Sequence, residues 1–249
     1  MDTQQLKSFK ILLIGDNCLD VYRYGTVDRI SPEAPVPVFK FSHEETKPGM
    51  AGNVARNLEA LGCKINYLHG ETGTKTRLID LRSKQHIIRI DDDVVSTPLE
   101  FETAIPPVYD AIVVSDYNKG TVSYKLIEEL IETKIPVFVD TKKTDLERLQ
   151  GAWVKINESE YSKVKSECTG LIVTLGDKGA TAIHHDINHP APAVEVSDVC
   201  GAGDTFLAAL AYKWCDTKNI NDAIKFAVKA ASITVQHLGN YAPTLEEIK

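Results

Sequence analysis

Ala111-Ile112-Val113-Val114-Ser115, then Ser123 to Thr133, then Pro136-Val137-Phe138-Val139-Asp140: this stretch reads as strand, helix, strand. Both strands are short continuous apolar runs, as expected of strands buried on both faces. The same alternation recurs on either side. Lys10 to Ile14, closed by Gly15, reads as a strand, as do Lys64 to His69, Trp153 to Ile156 and Gly170 to Leu175. Gly52 to Leu61 has a helical pattern, with Val54, Leu58 and Leu61 on one face and Gly62 as its stop. Leu207 to Cys215 and Asn221 to Val235 read as further helices. Strands alternating with helices predict an α/β fold, a mostly parallel sheet with helices on both faces. Val36 to Phe41 alternates too, but Pro35 and Pro37 confine it to a sheet edge. Thr76 to Leu81 and Gln85 to Asp91 flank a polar turn and read as a hairpin.

With 249 residues, 43% of them hydrophobic, the chain can bury one large core. No repeat or linker divides it, so one domain over residues 1–249 is expected. A net charge of −7 argues against a nucleic-acid partner. A locally basic pocket for a small anion is still compatible with that charge. Met1 to Lys10 is polar and lacks the apolar core of a leader, and no run is apolar enough to span a bilayer. A cytoplasmic protein with no membrane partner is expected. Cys18, Cys63, Cys168, Cys200 and Cys215 form no CxxC pair, so neither a zinc site nor a disulfide framework is indicated.

In such a sheet, ligands bind at the carboxyl ends of the strands. Polar clusters fall there: Asp16 and Asp20, Ser115-Asp116-Tyr117, Asp140-Thr141-Lys142, and Asn157 to Glu160. The run Asp198-Val199-Cys200-Gly201-Ala202-Gly203-Asp204-Thr205 leads directly into the apolar Phe206 to Tyr212. Gly201 and Gly203 permit backbone conformations closed to other residues, and a helix starting there presents free N–H groups to an anion. A carboxylate at Asp204 would oppose that anion unless its task is to take a proton from an attacking hydroxyl. An anion hole beside a base suggests phosphoryl transfer to an alcohol. Taken alone, the run fits better a tight turn whose aspartate caps a helix.

The rest of the chain favours the first reading. Asp198 to Asp204, Gly49-Met50-Ala51-Gly52-Asn53-Val54-Ala55-Arg56-Asn57-Leu58 and Asn157-Glu158-Ser159-Glu160 together resemble the signatures of the ribokinase-like (PfkB) carbohydrate kinases. Within that family the chain is most similar to the kinase domain of bacterial D-glycero-β-D-manno-heptose-7-phosphate kinases. Arg29-Ile30-Ser31-Pro32-Glu33-Ala34-Pro35-Val36-Pro37-Val38 is the most specific stretch of this likeness. Gly15-Asp16, Leu19-Asp20, Ser115-Asp116-Tyr117, Lys119-Gly120, and Asp140 with Lys142, Thr144 and Asp145 add to it.

The resemblance implies a three-layer fold plus a small β lid, with lid strands within about 22–41 and 76–91 that pair two subunits into a homodimer. It implies ATP and Mg²⁺ as cofactors and a phosphorylated sugar as acceptor. Asp204 is the expected base, with Gly201, Ala202 and Gly203 as the anion hole. Asn157, Glu158, Ser159, Glu160, Thr174, Gly176, Gly179 and Ser232 are expected at the nucleotide, with Ala231 and Val235 beside them. Glu160 and Asn157 are expected to hold Mg²⁺ through water. Asp20, Asn53, Asp116, Lys119 and Lys142 are expected at the acceptor, with Arg77 and Arg89 as further candidates for phosphate.

The chain also departs from the family. A helix and strand that relatives carry after Gly73 are missing, so Glu71-Thr72-Gly73 runs directly into Thr74; a shorter segment is missing between Glu160 and Gly170. Met50 and Lys143 stand where glycine is usual, and Cys200 where threonine is. The alternatives are a related kinase for a hexose, hexose phosphate or nucleoside, and a non-catalytic protein that binds nucleotide or sugar.

Overall fold

The computed structural model describes residues 7–101 and 105–248. Its centre is one ten-stranded sheet. The strands are β1 (Lys10–Ile30), β2 (Pro37–Met50), β3 (Lys64–Asp80), β4 (His86–Asp92), β5 (Ala111–Asp116), β6 (Val137–Thr141), β7 (Trp153–Asn157), β8 (Leu171–Thr174), β9 (Ala180–Ala182) and β10 (Ile187–His189). Their order is β10-β9-β8-β7-β6-β5-β1-β3-β4, with β2 paired to β1. The pairs from β3 through β1, β5, β6 and β7 to β8 are parallel. The remaining pairs, at the β10 end and in the lid, are antiparallel. The expected mostly parallel α/β sheet is therefore present.

The helices are α1 (Ala51–Ala60), α2 (Tyr124–Glu132), α3 (Glu158–Tyr161), α4 (Ala202–Thr217), α5 (Ile220–Thr234) and α6 (Leu245–Ile248). Strand residues alternate between two cores. Ile11, Leu13, Ala111, Val113 and Phe138 pack with α1, α4 and α5. Leu12, Ile14, Ile112, Val114, Val137 and Val139 pack with α2. That two-sided burial is why these strands are apolar at every position, and it produces the three layers. Ser123 caps α2 by accepting a hydrogen bond from the Leu126 N–H at 3.0 Å.

Two readings of strand length are corrected. β1 does not end at Gly15, and β3 does not stop at His69; each runs on from the body of the sheet into the lid. Their pairing shifts register once, between Gly15 and Asn17, then continues from Asn17↔Thr72 to Gly25↔Asp80. Backbone pairing to β1 carries β3 past its two glycines, Gly70 and Gly73. The lid is also larger than expected, because β2 pairs with β1 as far as Asn17↔Met50. Ser42 to Glu45 is polar and exposed, so it shows no apolar period, and backbone pairing to β1 makes it a strand. The hairpin appears as β3 and β4, with Arg77 opposite Arg89.

Candidate active site

Asp204 lies in the first turn of α4 and is 6% exposed. The helix starts at Ala202, earlier than its apolar run suggests, because Gly201 adopts φ 78° and turns the chain into it. A Cβ on Gly201 would stand 2.8 Å from Asn53 Nδ2 and 3.0 Å from Asn240 Oδ1. Asn53 Nδ2 donates to Asp204 Oδ2 at 2.9 Å, and the Tyr117 hydroxyl donates to Asp204 Oδ1 at 2.9 Å. Burial pushes the Asp204 carboxyl up to about 6; Asp140 adds to the rise, while the bonds from Asn53 and Tyr117 and the charge of Lys155 oppose it. A carboxylate tuned this way can accept a proton near neutral pH.

The anion hole sits against a buried ion pair. Lys155, on β7, donates to Asp140 Oδ2 on β6 at 2.7 Å, and both side chains are nearly enclosed. Burial opposes the charge on Lys155, but Asp140, with Asp204 and Glu160 behind it, outweighs that cost and raises the ammonium pKa. A Cβ on Gly203 would come within 2.8 Å of Lys155 Nζ, so glycine brings the first turn of α4 against this cation. The Gly203 and Asp204 N–H groups find no backbone acceptor among the described residues. Free N–H groups above a buried ammonium form a site for a phosphoryl oxygen.

On one side of α4 opens a cavity of about 530 Å³. It brings together Thr174, Gly176, Gly179, Ala231, Ser232 and Val235, expected near the nucleotide, with Ala202 and Gly203 of the expected anion hole. Its other walls, including Pro192, Val194, Phe206 and Val228, are apolar. Asn157 and Glu160 stand beside it, since Asn157 pairs with Thr174 across β7 and β8. They form a reciprocal cap: Asn157 Oδ1 accepts from the Glu160 N–H and Glu160 Oε2 from the Asn157 N–H, each at 2.9 Å. Glu160 Oε1 faces the Lys142 ammonium. Glu158 and Ser159 are exposed on α3 and do not line the cavity.

On the other side, Asp20 is buried opposite the hole. Arg77 Nη1 donates to Asp20 Oδ1 at 2.5 Å, and Asn240 Nδ2 to Asp20 Oδ2 at 3.1 Å. Asn53 Oδ1 is buried without a partner among the described residues, an acceptor available to a ligand hydroxyl.

Three expectations fail on geometry. The Asp116 carboxylate accepts from Thr141 Oγ1 at 2.6 Å and from the Asn118 N–H at 2.9 Å, and pairs with Lys143 Nζ at 2.9 Å. With those partners it braces two loops, and its side chain is wholly enclosed, so it presents no surface to an acceptor. Lys119 Nζ is paired with Asp93 at 2.6 Å. Arg89 is paired with Asp91, also at 2.6 Å. Asp16 is likewise a scaffold, its carboxylate accepting from the N–H groups of Tyr117, Lys119 and Thr121.

Sequence reasoning missed Lys155, Tyr117 as a partner of the base, and Asn240. Lys155 carried a signal: it is the single charge in the strand Trp153–Asn157. Asn240 carried none, because it reaches the site from the far end of the chain.

Residues 135–247 match the model of the pfkB family of carbohydrate kinases. The chain is 34% identical to the bifunctional protein HldE of Nitratiruptor sp., over 96% of this chain and 64% of that protein. It is 33% identical to HldE of Pasteurella multocida, over 98% of this chain and 64% of that protein. It thus spans 64% of the length of these curated relatives. Ribokinase from Thermotoga maritima shares the fold, with a TM-score of 0.70 over 96% of this chain and 98% of that one at 18% identity. A pfkB family carbohydrate kinase domain, matched over residues 135–247, thus lies on a fold shared with ribokinase.

Proposed function

We propose that this protein transfers the γ-phosphoryl group of ATP to a sugar hydroxyl, with C1 of D-glycero-D-manno-heptose 7-phosphate as the acceptor. One observation carries the reading. A buried carboxylate, Asp204, is held by Asn53 and Tyr117 at a helix N-terminus that also forms one end of the 530 Å³ cavity. A hydroxyl on the Asp20 side meets the base, and a phosphoryl group on the cavity side meets the N–H groups and Lys155. Asp204 takes the hydroxyl proton as the new O–P bond forms, and Asp20 and Asn53 orient the sugar. The apolar walls suit a nucleobase, which is held there by shape and stacking.

The oxygen donors at Glu160 fit Mg²⁺ bound through its own waters, since that ion keeps much of its hydration. Glu160 and Asn157 would hold it, with Lys142 moving aside from Glu160. Bound there, the ion would neutralise charge on the nucleotide phosphates. The choice of heptose rests on the likeness to HldE and on the run Arg29 to Val38. We also propose a cytoplasmic homodimer formed through the lid, where Ile30, Val36, Phe41, Ile88 and Ile90 are exposed.

The test is Mg·ATP-dependent ADP release with heptose 7-phosphate, sedoheptulose 7-phosphate, fructose 6-phosphate, ribose and adenosine. Turnover is expected on the heptose and should fall roughly 10²- to 10⁴-fold in Asp204→Asn, the typical value of a general base. Turnover on another acceptor would replace the heptose. ATP binding without turnover on any of them would sink the kinase reading.

A further inference from the structure

We infer that Lys47 and Lys75 form a clamp for a phosphate dianion at the acceptor end of the site, so that the acceptor is a sugar phosphate and not a neutral sugar. This rests on the kinase reading above and deepens it. Across the lid, Asp20 on β1 lies opposite Lys47 on β2 and opposite Lys75 on β3. Laterally paired residues share a face, so both lysines lie on the side where Asp20 is buried. Lys47 Nζ lies over the Tyr22 ring, 5.6 Å from its centroid. Lys75 Nζ lies over the Tyr117 ring, also at 5.6 Å, and the hydroxyl of that ring touches the base. The two strands flank β1 and so stand about 10 Å apart. Two flexible ammonium side chains can close that gap around one phosphate group.

Ion pairing separates these two from the cations that flank Asp20 and Asp204; elsewhere, among the described residues, Arg56 on α1 is also partly buried without an ion pair. Arg77 is matched by Asp20, Lys155 by Asp140 and Lys119 by Asp93, while Lys142 faces Glu160 and lies over the Tyr117 ring beside Lys75. Among the described residues, neither Lys47 nor Lys75 has a carboxylate within 4.0 Å, although both are partly buried in a chain of net charge −7. The acids around them are also satisfied. Asp204 is held by Asn53 and Tyr117, and Asp198 by the N–H groups of Cys200 and Gly239. Partly desolvated cations without a counter-ion are costly, and a ligand dianion removes that cost. A neutral sugar would leave both unmatched. The clamp thus replaces Lys119 and Arg89 as the expected phosphate cations.

The test compares the wild type with Lys47→Met, Lys75→Met, the double variant and the conservative Lys75→Arg. The readout is kcat/KM for heptose 7-phosphate divided by kcat/KM for the unphosphorylated heptose. That ratio should fall roughly tenfold in each single methionine variant and about a hundredfold in the double variant, as loss of a charged hydrogen bond implies, with arginine restoring most of it. A ratio that does not move overturns the clamp. Calorimetric titration with inorganic phosphate, with a non-hydrolysable ATP analogue filling the nucleotide site, is read independently of turnover. Binding by the wild type that is lost in the double variant supports the clamp even if no acceptor is phosphorylated, in which case only the kinase reading falls. Phosphate binding that survives in the double variant, or is absent from the wild type, overturns the clamp.

Discussion

Asp204 is useful as a base because burial outweighs the donors that hold it. Burial disfavours its charge, while the Tyr117 and Asn53 donors favour it, leaving the carboxyl at about 6. The base works ionised, so kcat/KM should fall as pH drops through about 6. Tyr117→Phe removes one donor to the carboxylate and favours the protonated form. The acid limb of the pH–rate profile should therefore move up by roughly one pH unit, since a hydrogen bond to a charged group is worth about 1.5 kcal/mol or more. An acid limb that stays in place would show that Tyr117 merely fills space. Asp204 itself was legible in the sequence because its motif is local. Tyr117 was visible only as part of a matched run, since its bond to Asp204 spans 87 residues.

At the scale of elements, the start of α4 depends on what lies beneath it. A Cβ at Gly203 would meet Lys155 Nζ at 2.8 Å and Asp140 Oδ2 at 3.8 Å. The closer atom is the end of a flexible side chain, so Gly203→Ala should fold but displace the ammonium from the anion hole. Turnover is expected to drop about 10²-fold, as when one oxyanion donor is lost, with the melting temperature lowered by only a few degrees. A variant with wild-type kcat would mean that Lys155 plays no part at the phosphoryl group. Asn157-x-x-Glu160 was legible as a family signature, and the structure adds that the same two side chains close a reciprocal cap on α3. The length of β3 was not legible, because Gly70 and Gly73 read as a break in the strand when they are only points of close packing against Ser96 and Asp92.

At the scale of the whole molecule, β1 and β3 run unbroken from sheet to lid, so lid and body are tied by backbone hydrogen bonds from Lys10 to Gly25 of β1. The lid's outer side still exposes Phe41 at 58%, Ile88 at 53% and Ile90 at 52%. Light scattering after size exclusion should therefore find a dimer, and Phe41→Glu should shift it to the 27.5 kDa monomer by burying a charge at the contact. A monomer at every wild-type concentration would remove the lid interface. By itself, the sequence determined the α/β class, most helices and inner strands, and the motifs around Asp204, Asn53 and Asn157, because period and turn chemistry act over a few residues. It could not determine which charges cancel. Tertiary structure alone decided that Asp116, Lys119 and Arg89 are paired, that Lys155 underlies the anion hole, and that Lys47 and Lys75 stand without a counter-ion among the described residues. Whether a charged side chain is free for a ligand depends on what the fold brings within 4 Å of it, and those partners come from distant parts of the chain.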